Sequence, residues 1–262
     1  MANTDDCLDA ATLDGGIRLL TMKRPAARNA LNLALLAALA AEFDAARQDP
    51  ATSVVVLTGD EKAFSAGADI REMSAKGWDA IEDESRNASW QTMRDFPKPF
   101  IAAVRGYALG GGNELAMLAD LVIAGEGAVF GQPEAMIGGI PGDGGTQRLP
   151  RLIGRQRAIR MLLTGERLSG REAFAAGLAC AVVPDAQVVD EAVRLAKQIA
   201  AAAPASAIAI KSLVWASQEL SLDEGLRLER ELLRQVFGSA DHLEGMRAFV
   251  ERRPPVWRGT KG

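Results

Sequence analysis

A chain of 262 residues, 48% hydrophobic and 24% charged, is long enough to bury a full core without disulfide or metal staples. A net charge of −4 provides no overall basic field for nucleic acid, and a single histidine, His242, excludes HExxH zinc sites and two-histidine metal sites. No apolar run approaches the roughly 18–20 residues that cross a bilayer, and no GxGxxG or GxxxxGK loop for a dinucleotide or a triphosphate occurs.

The acidic opening MANTDDCLDA lacks the basic-then-apolar order of a signal peptide, and Cys7 and Cys180 make no metal or redox motif. The expectation is a cytoplasmic protein in a reducing compartment. Ile17–Met22 reads as a strand ended by Arg24-Pro25. From Leu33, apolar residues recur at Leu36, Leu39, Phe43 and Ala46 with helical period. Val54–Leu57 is a β-branched run suited to a parallel strand buried on both faces.

Residues 73–97 are polar with Trp78, Trp90, Met93 and Phe96 interspersed, which reads as a mobile helical insertion. Ile101–Val104 is a second buried strand, followed by a glycine-rich turn and a helix over Glu114–Ala119. Short strands are expected at Leu121–Ala124 and Ala128–Phe130, then a glycine-rich loop, Gly138–Gly145, and a helix over Leu152–Leu163. A short helix at Arg171–Ala176 closes at Gly177, and Ala179–Val183 is the last strand. Beyond it only helical periods remain, at 190–202, 205–219, 221–237 and 240–252. The organisation is an α/β core over residues 1–200 and a helical region over 201–262.

Two glycine-rich turns join strands to helices: Phe64-Ser65-Ala66-Gly67-Ala68-Asp69 and Ala108-Leu109-Gly110-Gly111-Gly112-Asn113-Glu114. Glycines uncover the backbone, and the first N–H groups of a helix lack partners at the positive end of its dipole. Such a turn can hold an oxyanion, although it can equally serve tight strand–helix packing. Glu114 and Glu134, each at a helix start, are singly ordinary dipole-complementing charges. Beside a shared oxyanion site they can divide acid and base roles. A rival reads Ser65 with His242 as a hydrolase pair. Against it, the first glycine of GxSxG is missing and His242 lies in a helical pattern.

The runs Lys62–Ile70, Gly106–Gly112, Gly131–Glu134 and Pro141–Leu149, with Arg24-Pro25 and Asn29–Asn32, resemble enoyl-CoA hydratases of the crotonase superfamily over nearly the whole chain. The resemblance implies a spiral of ββα units, a C-terminal helical trimerisation region and a homotrimer or dimer of trimers. It also implies an acyl-CoA substrate and no cofactor beyond the coenzyme A of that substrate.

Carried over, the N–H groups of Ala68 and Gly111 form the oxyanion hole, Glu114 is the base at Cβ, and Glu134 delivers a proton to Cα. Gly142 lines the water site. Ala66, Asp69 and Ile70 contact the CoA arm, Arg28 lies near its entrance, and Phe249 and Arg252 reach a neighbouring subunit's CoA. The remaining C-terminal arginines read as a solvated helix face.

An enoyl-CoA isomerase, which keeps the carboxylate at the Glu134 position alone, and a non-catalytic CoA- or RNA-binding scaffold are the alternatives. Two residues depart from the family pattern: Asn113, and Asp143, which is expected to face solvent. The motifs before residue 35 and the run Gly106–Gly112 also resemble dehydroadipyl-CoA hydratases. Acyl selectivity is expected from residues 73–97, with Trp78, Trp90 and Met93 closing the pocket.

Overall fold

In chain order, the computed structural model, which describes residues 7–259, runs through the strands and helices β1 (Leu8–Leu13), β2 (Ile17–Met22), α1 (Leu33–Gln48), β3 (Val54–Thr58) and β4 (Ala63–Ser65). Residues 1–6, most of the acidic opening, lie outside that range. Next come α2 (Ile70–Lys76), α3 (Asp79–Glu82), α4 (Glu84–Arg94), β5 (Phe100–Val104), β6 (Tyr107–Leu109), α5 (Gly111–Leu118), β7 (Leu121–Gly125) and β8 (Val129–Gly131). The remainder is α6 (Gly145–Ile153), α7 (Arg155–Thr164), β9 (Arg167–Ser169), α8 (Gly170–Ala176), β10 (Ala181–Val183), α9 (Val188–Ala200), α10 (Pro204–Ala216), α11 (Leu222–Phe237) and α12 (Ala240–Glu251).

The strands form a six-stranded sheet, β1-β2-β3-β5-β7-β10, and a four-stranded sheet, β4-β6-β8-β9. Three times a longer strand enters the large sheet and the next short strand enters the small one: β3 then β4, β5 then β6, β7 then β8. Within each sheet these strands pair in parallel. This repetition is the α/β spiral expected from the sequence.

Strand alternation divides the core. Val54 and Val56 of β3 face α9, with Ile101, Ala103 and Ile123, and meet Val188, Ala192 and Ala196 of that helix. Val55 and Leu57 face the other way and join α1 in the larger cluster. There Phe43 meets Phe96 and Phe100 edge-on, with ring centroids 5.0 and 4.9 Å apart.

The segment expected as a helical insertion, residues 73–97, is helical, and its last helix packs into the core. Three helices fill the segment, and α4 buries Trp90 and Met93 in the core shared with α1. Their three-residue spacing puts them on the helix face that meets α1, and Arg47 of α1 donates to Thr92 O at 3.0 Å. Trp90 and Met93 are therefore core residues and do not close a pocket, while Trp78 is 74% exposed. The helix expected at 152–163 is two helices, broken at Gly154, whose φ of 79° favours glycine.

Beyond residue 203 only helices follow. Asp120 moors the first of them, accepting hydrogen bonds from Phe100 N at 2.7 Å and from the Trp215 indole at 2.6 Å, with Lys211 ion-paired at 2.9 Å. Among the described residues, no single helix is long and apolar enough to cross a membrane.

Asn29 joins the chain before α1 to the turn after β4. It is fully buried with φ 54°, accepts from Arg24 N at 2.7 Å and donates to Ala63 O at 2.8 Å. Asparagine tolerates the left-handed conformation that alanine resists. Asn29→Ala is expected to cost roughly 2–4 kcal/mol through two lost buried hydrogen bonds and backbone strain, measurable by chemical denaturation.

Candidate active site

Three backbone hydrogen bonds bind the Asn29–Asn32 segment and its neighbours to the turn after β4. Ala66 N donates to Arg28 O at 2.9 Å, Leu31 N to Gly67 O at 2.7 Å, and Asp69 N to Leu31 O at 3.1 Å. The parallel bridge between Leu31 and Ala68 pairs the groups on either side of Ala68 N–H and leaves that donor over. Ser65 completes the turn: its buried hydroxyl donates to Asn29 O at 2.8 Å and accepts from Gly67 N at 3.2 Å. It is thereby fully engaged. His242 lies in α12 with its ring 4.4 Å from that of Phe237, so the two make no hydrolase pair.

The second turn enters α5 directly. Gly110 precedes the helix at φ 53°, and a Cβ on Gly112 would collide with the Ser65 backbone. Glycine there lets the helix start against β4. Gly111 begins that helix, and its N–H, like that of Ala68, donates to no protein acceptor among the described residues. A Cβ on Gly111 would stand 3.5 Å from Ala68 N, and one on Gly67 would stand 3.5 Å from Gly111 N, so the two free donors lie side by side.

Glu114, in the first turn of α5, is 2% exposed. Its Oε1 accepts from Asp143 N at 2.8 Å and Gly145 N at 2.7 Å. Burial raises its pKa to about 7; these amide bonds pull the other way, and the charges of Asp143 and Glu134 add to the rise. Glu134 opens a 3-10 turn, Glu134–Ile137, after Pro133. Its Oε1 accepts from the Gln132 amide at 3.2 Å, whereas Oε2 is buried with no protein partner. Burial raises its pKa too. A Cβ on Gly110 would approach Glu134 Oε1 to 3.1 Å, and one on Gly145 would approach Glu114 Oε1 to 3.1 Å. Glu134 thus borders the glycine turn that carries Gly111 N–H, while Glu114 stands on the helix this turn opens, close enough to Glu134 for the two charges to interact.

The other expected site residues divide. Asp69 caps α2 at Glu72 N and pairs with Arg24 at 3.1 Å, Ile70 opens that helix exposed, and the Arg28 guanidinium lies 5.7 Å from the Tyr107 ring centre. Gly142 lies on the loop beside Asp143 with open space around its Cα. Phe249 is 85% exposed near the end of α12 and Arg252 caps that helix; no hydrogen bond of either leads to the two glutamates. Asn113 is buried with neither amide atom hydrogen-bonded.

Asp143 departs from the solvent-facing reading. Its carboxylate turns inward onto Arg86 of α4, and burial raises its pKa while Arg86 opposes the rise. Arg86 and Gln132 went unnoticed as site residues. Gln132 carried a signal, standing two residues before Glu134 in the same strand-to-turn segment; Arg86 carried none, since 57 residues separate it from Asp143.

With that geometry in place, the comparisons decide the family. The model of the enoyl-CoA hydratase/isomerase family matches residues 12–260. The chain belongs to the enoyl-CoA hydratase/isomerase family. Similar to it are a probable mitochondrial enoyl-CoA hydratase of Dictyostelium discoideum, 44% identical over 96% of this chain and 91% of that one, and a 2,3-dehydroadipyl-CoA hydratase of Escherichia coli K12, 45% identical over 93% and 95%. The crystal structure of an enoyl-CoA hydratase from Bacillus anthracis superposes with a TM-score of 0.92 at 35% identity, covering 96% of this chain and 99% of that one.

The raised pKa of Glu114 has a signed effect on stability in this family member. Below its unfolded value of 4.5 both states hold the proton; between 4.5 and about 7 only the folded state does, so stability falls as pH rises through that window. Glu114→Gln removes the penalty. Its stability gain over the parent is expected to grow by about 2–3 kcal/mol between pH 5 and pH 8, read from paired denaturation curves at the two pH values.

Proposed function

We infer that this protein is an enoyl-CoA hydratase, adding water across the double bond of a 2-enoyl-CoA thioester to give a 3-hydroxyacyl-CoA. The single observation that carries the reading is the buried Glu114 and the half-buried Glu134 set near the turn whose Gly111 N–H lies beside Ala68 N–H. Hydratases named among the relatives support it.

The proposed mechanism follows from those groups. Ala68 and Gly111 N–H hold the thioester oxygen, draw electron density from the conjugated double bond and leave Cβ electrophilic. Glu114, ionised, takes a proton from water as its oxygen bonds to Cβ. The π electrons move toward the thioester, and negative charge gathers on its oxygen. Glu134, protonated, then supplies the proton at Cα. Water's OH thus ends on Cβ and a proton on Cα, and the proton on Glu114 makes good the one Glu134 gave up. No cofactor beyond the coenzyme A of the substrate is required.

Both carboxylates are needed for this chemistry. Glu114→Gln and Glu134→Gln are each expected to lower kcat for hydration of crotonyl-CoA by roughly 100- to 10,000-fold, followed as loss of the conjugated-thioester absorbance. Retention of hydration by either variant would overturn the assignment. An isomerase would instead keep its activity without Glu114.

The remaining proposals concern assembly, substrate and place. On α11 and α12, Leu222, Leu226, Phe237, Phe249 and Val250 are exposed, an apolar surface suited to burial between copies of the chain. We propose a homotrimer or a dimer of trimers in which Phe249 and Arg252 approach a neighbour's CoA, with Arg28, Ala66, Asp69, Ile70 and Gly142 around the chain's own. Sedimentation at micromolar concentration is expected to give a species of three or six chains, and a monomer would refute it. The cytoplasm is the proposed compartment, and an acyl-CoA of fatty-acid or aromatic-acid breakdown the proposed substrate.

A further inference from the structure

The loop Pro141–Gly145 presents two N–H groups to one carboxylate oxygen, yet has little rigidity of its own. Gly142 has open space around it and Gly144 sits at φ 110°, a conformation few other residues adopt. What fixes the loop is Asp143. Its carbonyl accepts from the Arg148 guanidinium at 2.8 Å, its N–H donates to Glu114, and its carboxylate is clamped by Arg86. The Arg86 and Asp143 side chains are only 15% and 11% exposed, so the pair is largely shielded from water and each charge depends on the other.

Arg86 also borders a second feature. A cleft beside the oxyanion donor is lined by Leu31, Ala68, Asp69 and Met73, with Ala80 and Arg86 further along. An acyl chain leaving the oxyanion site by this cleft would lie against α2–α4 and reach the guanidinium. Arg86 therefore stands at the edge of this cleft and against the loop that holds Glu114.

We propose that Arg86 is a positioning residue for hydration: through its ion pair with Asp143 it couples helix α4 to the loop that orients Glu114. The proposal rests on the hydratase reading for its kinetic consequences and on the geometry alone for its structural ones. The charged groups that face Glu114 are Asp143 and Arg148 from the loop and α6, Glu134 from the 3-10 turn, and Arg86 and Arg94 from α4 acting through Asp143. Removing Arg86 leaves the Asp143 charge beside the base with only Arg148 and Arg94 to offset it. Removing Asp143 takes away that charge and frees a cation. Removing both restores near-neutrality but not the clamp.

The test compares the parent with R86Q, R86K, D143N and R86Q/D143N by the pH dependence of kcat/KM with crotonyl-CoA. R86Q is expected to lower kcat by roughly ten- to a hundredfold and to move the alkaline-rising limb to higher pH. D143N should move that limb to lower pH. The double variant should return it close to the parent's position, with combined losses in kcat smaller than the product of the single ones. R86K should keep the parental limb while losing part of kcat, because ammonium preserves the charge but not the reach and direction of the guanidinium N–H.

A readout independent of turnover accompanies it: in each background, the midpoint pH at which the Tm gain from Glu114→Gln levels off, which follows the folded-state titration of Glu114. This midpoint should shift upward in R86Q and downward in D143N. A merely structural role would lower Tm in R86Q and leave the midpoint unchanged. A folded R86Q with parental kcat, limb and midpoint would overturn the proposal, as would strictly independent effects in the double variant. If the parent fails to hydrate any 2-enoyl-CoA, the functional reading falls, while the midpoint shifts still decide the coupling.

Discussion

One backbone arrangement underlies the site: the parallel bridge that Leu31 makes across Ala68. In a parallel bridge, one residue supplies both N–H and C=O to the flanks of its opposite number, and the opposite number's own N–H points away. Here the bridge stands alone, with no further strand to take up that donor. The Ala68 amide is consequently left over by topology. The Asn29 side chain and the Ser65 hydroxyl then fix the two segments on either side. Gly112, by letting α5 begin against the Ser65 backbone, brings Gly111 N–H to the same place. Local strand geometry and a helix start thus bring two unpaired donors side by side.

The carboxylates are costly by contrast. Burying Glu114 raises its pKa to about 7, and the two loop amides offset only part of that cost. The rest is borne by the core: the two-sided burial of β3 and β5, the aromatic cluster around Phe43, and the packing of α9. In the role of base proposed for Glu114, a pKa near neutrality accepts a proton from water more effectively than an ordinary glutamate would, so the desolvation that weakens the fold would serve that chemistry. Glu134 differs in having one oxygen without a protein partner, which suits the proton-donor role proposed for it.

Much of this was legible in the residues. Glycine runs following β-branched strands marked both turns, and helical periods placed α1 and the four C-terminal helices within a few residues. Three-residue strands such as β4, β6 and β9 were not all legible, because so short a span carries no period. The break at Gly154 was missed since a single glycine in a helical pattern is ambiguous until the backbone around it is seen. Trp90 and Met93 looked like pocket residues because their segment is polar overall; only the docking of α4 on α1 makes them core. Asp143 was misread for a related reason. A lone acidic residue among glycines suggests solvent, and its partner, Arg86, lies 57 positions away on a helix whose placement depends on that same docking.

Because both donors belong to the main chain, no replacement short of proline can delete either one; any other variant can only shift the peptide that bears it. The carboxylates around them are ordinary replaceable side chains on a helix and a turn. The site therefore separates a permanent part, written in chain geometry, from an exchangeable one, written in residue identity. A scaffold so divided could stabilise the same enolate-like charge while different neighbours decided where the protons go.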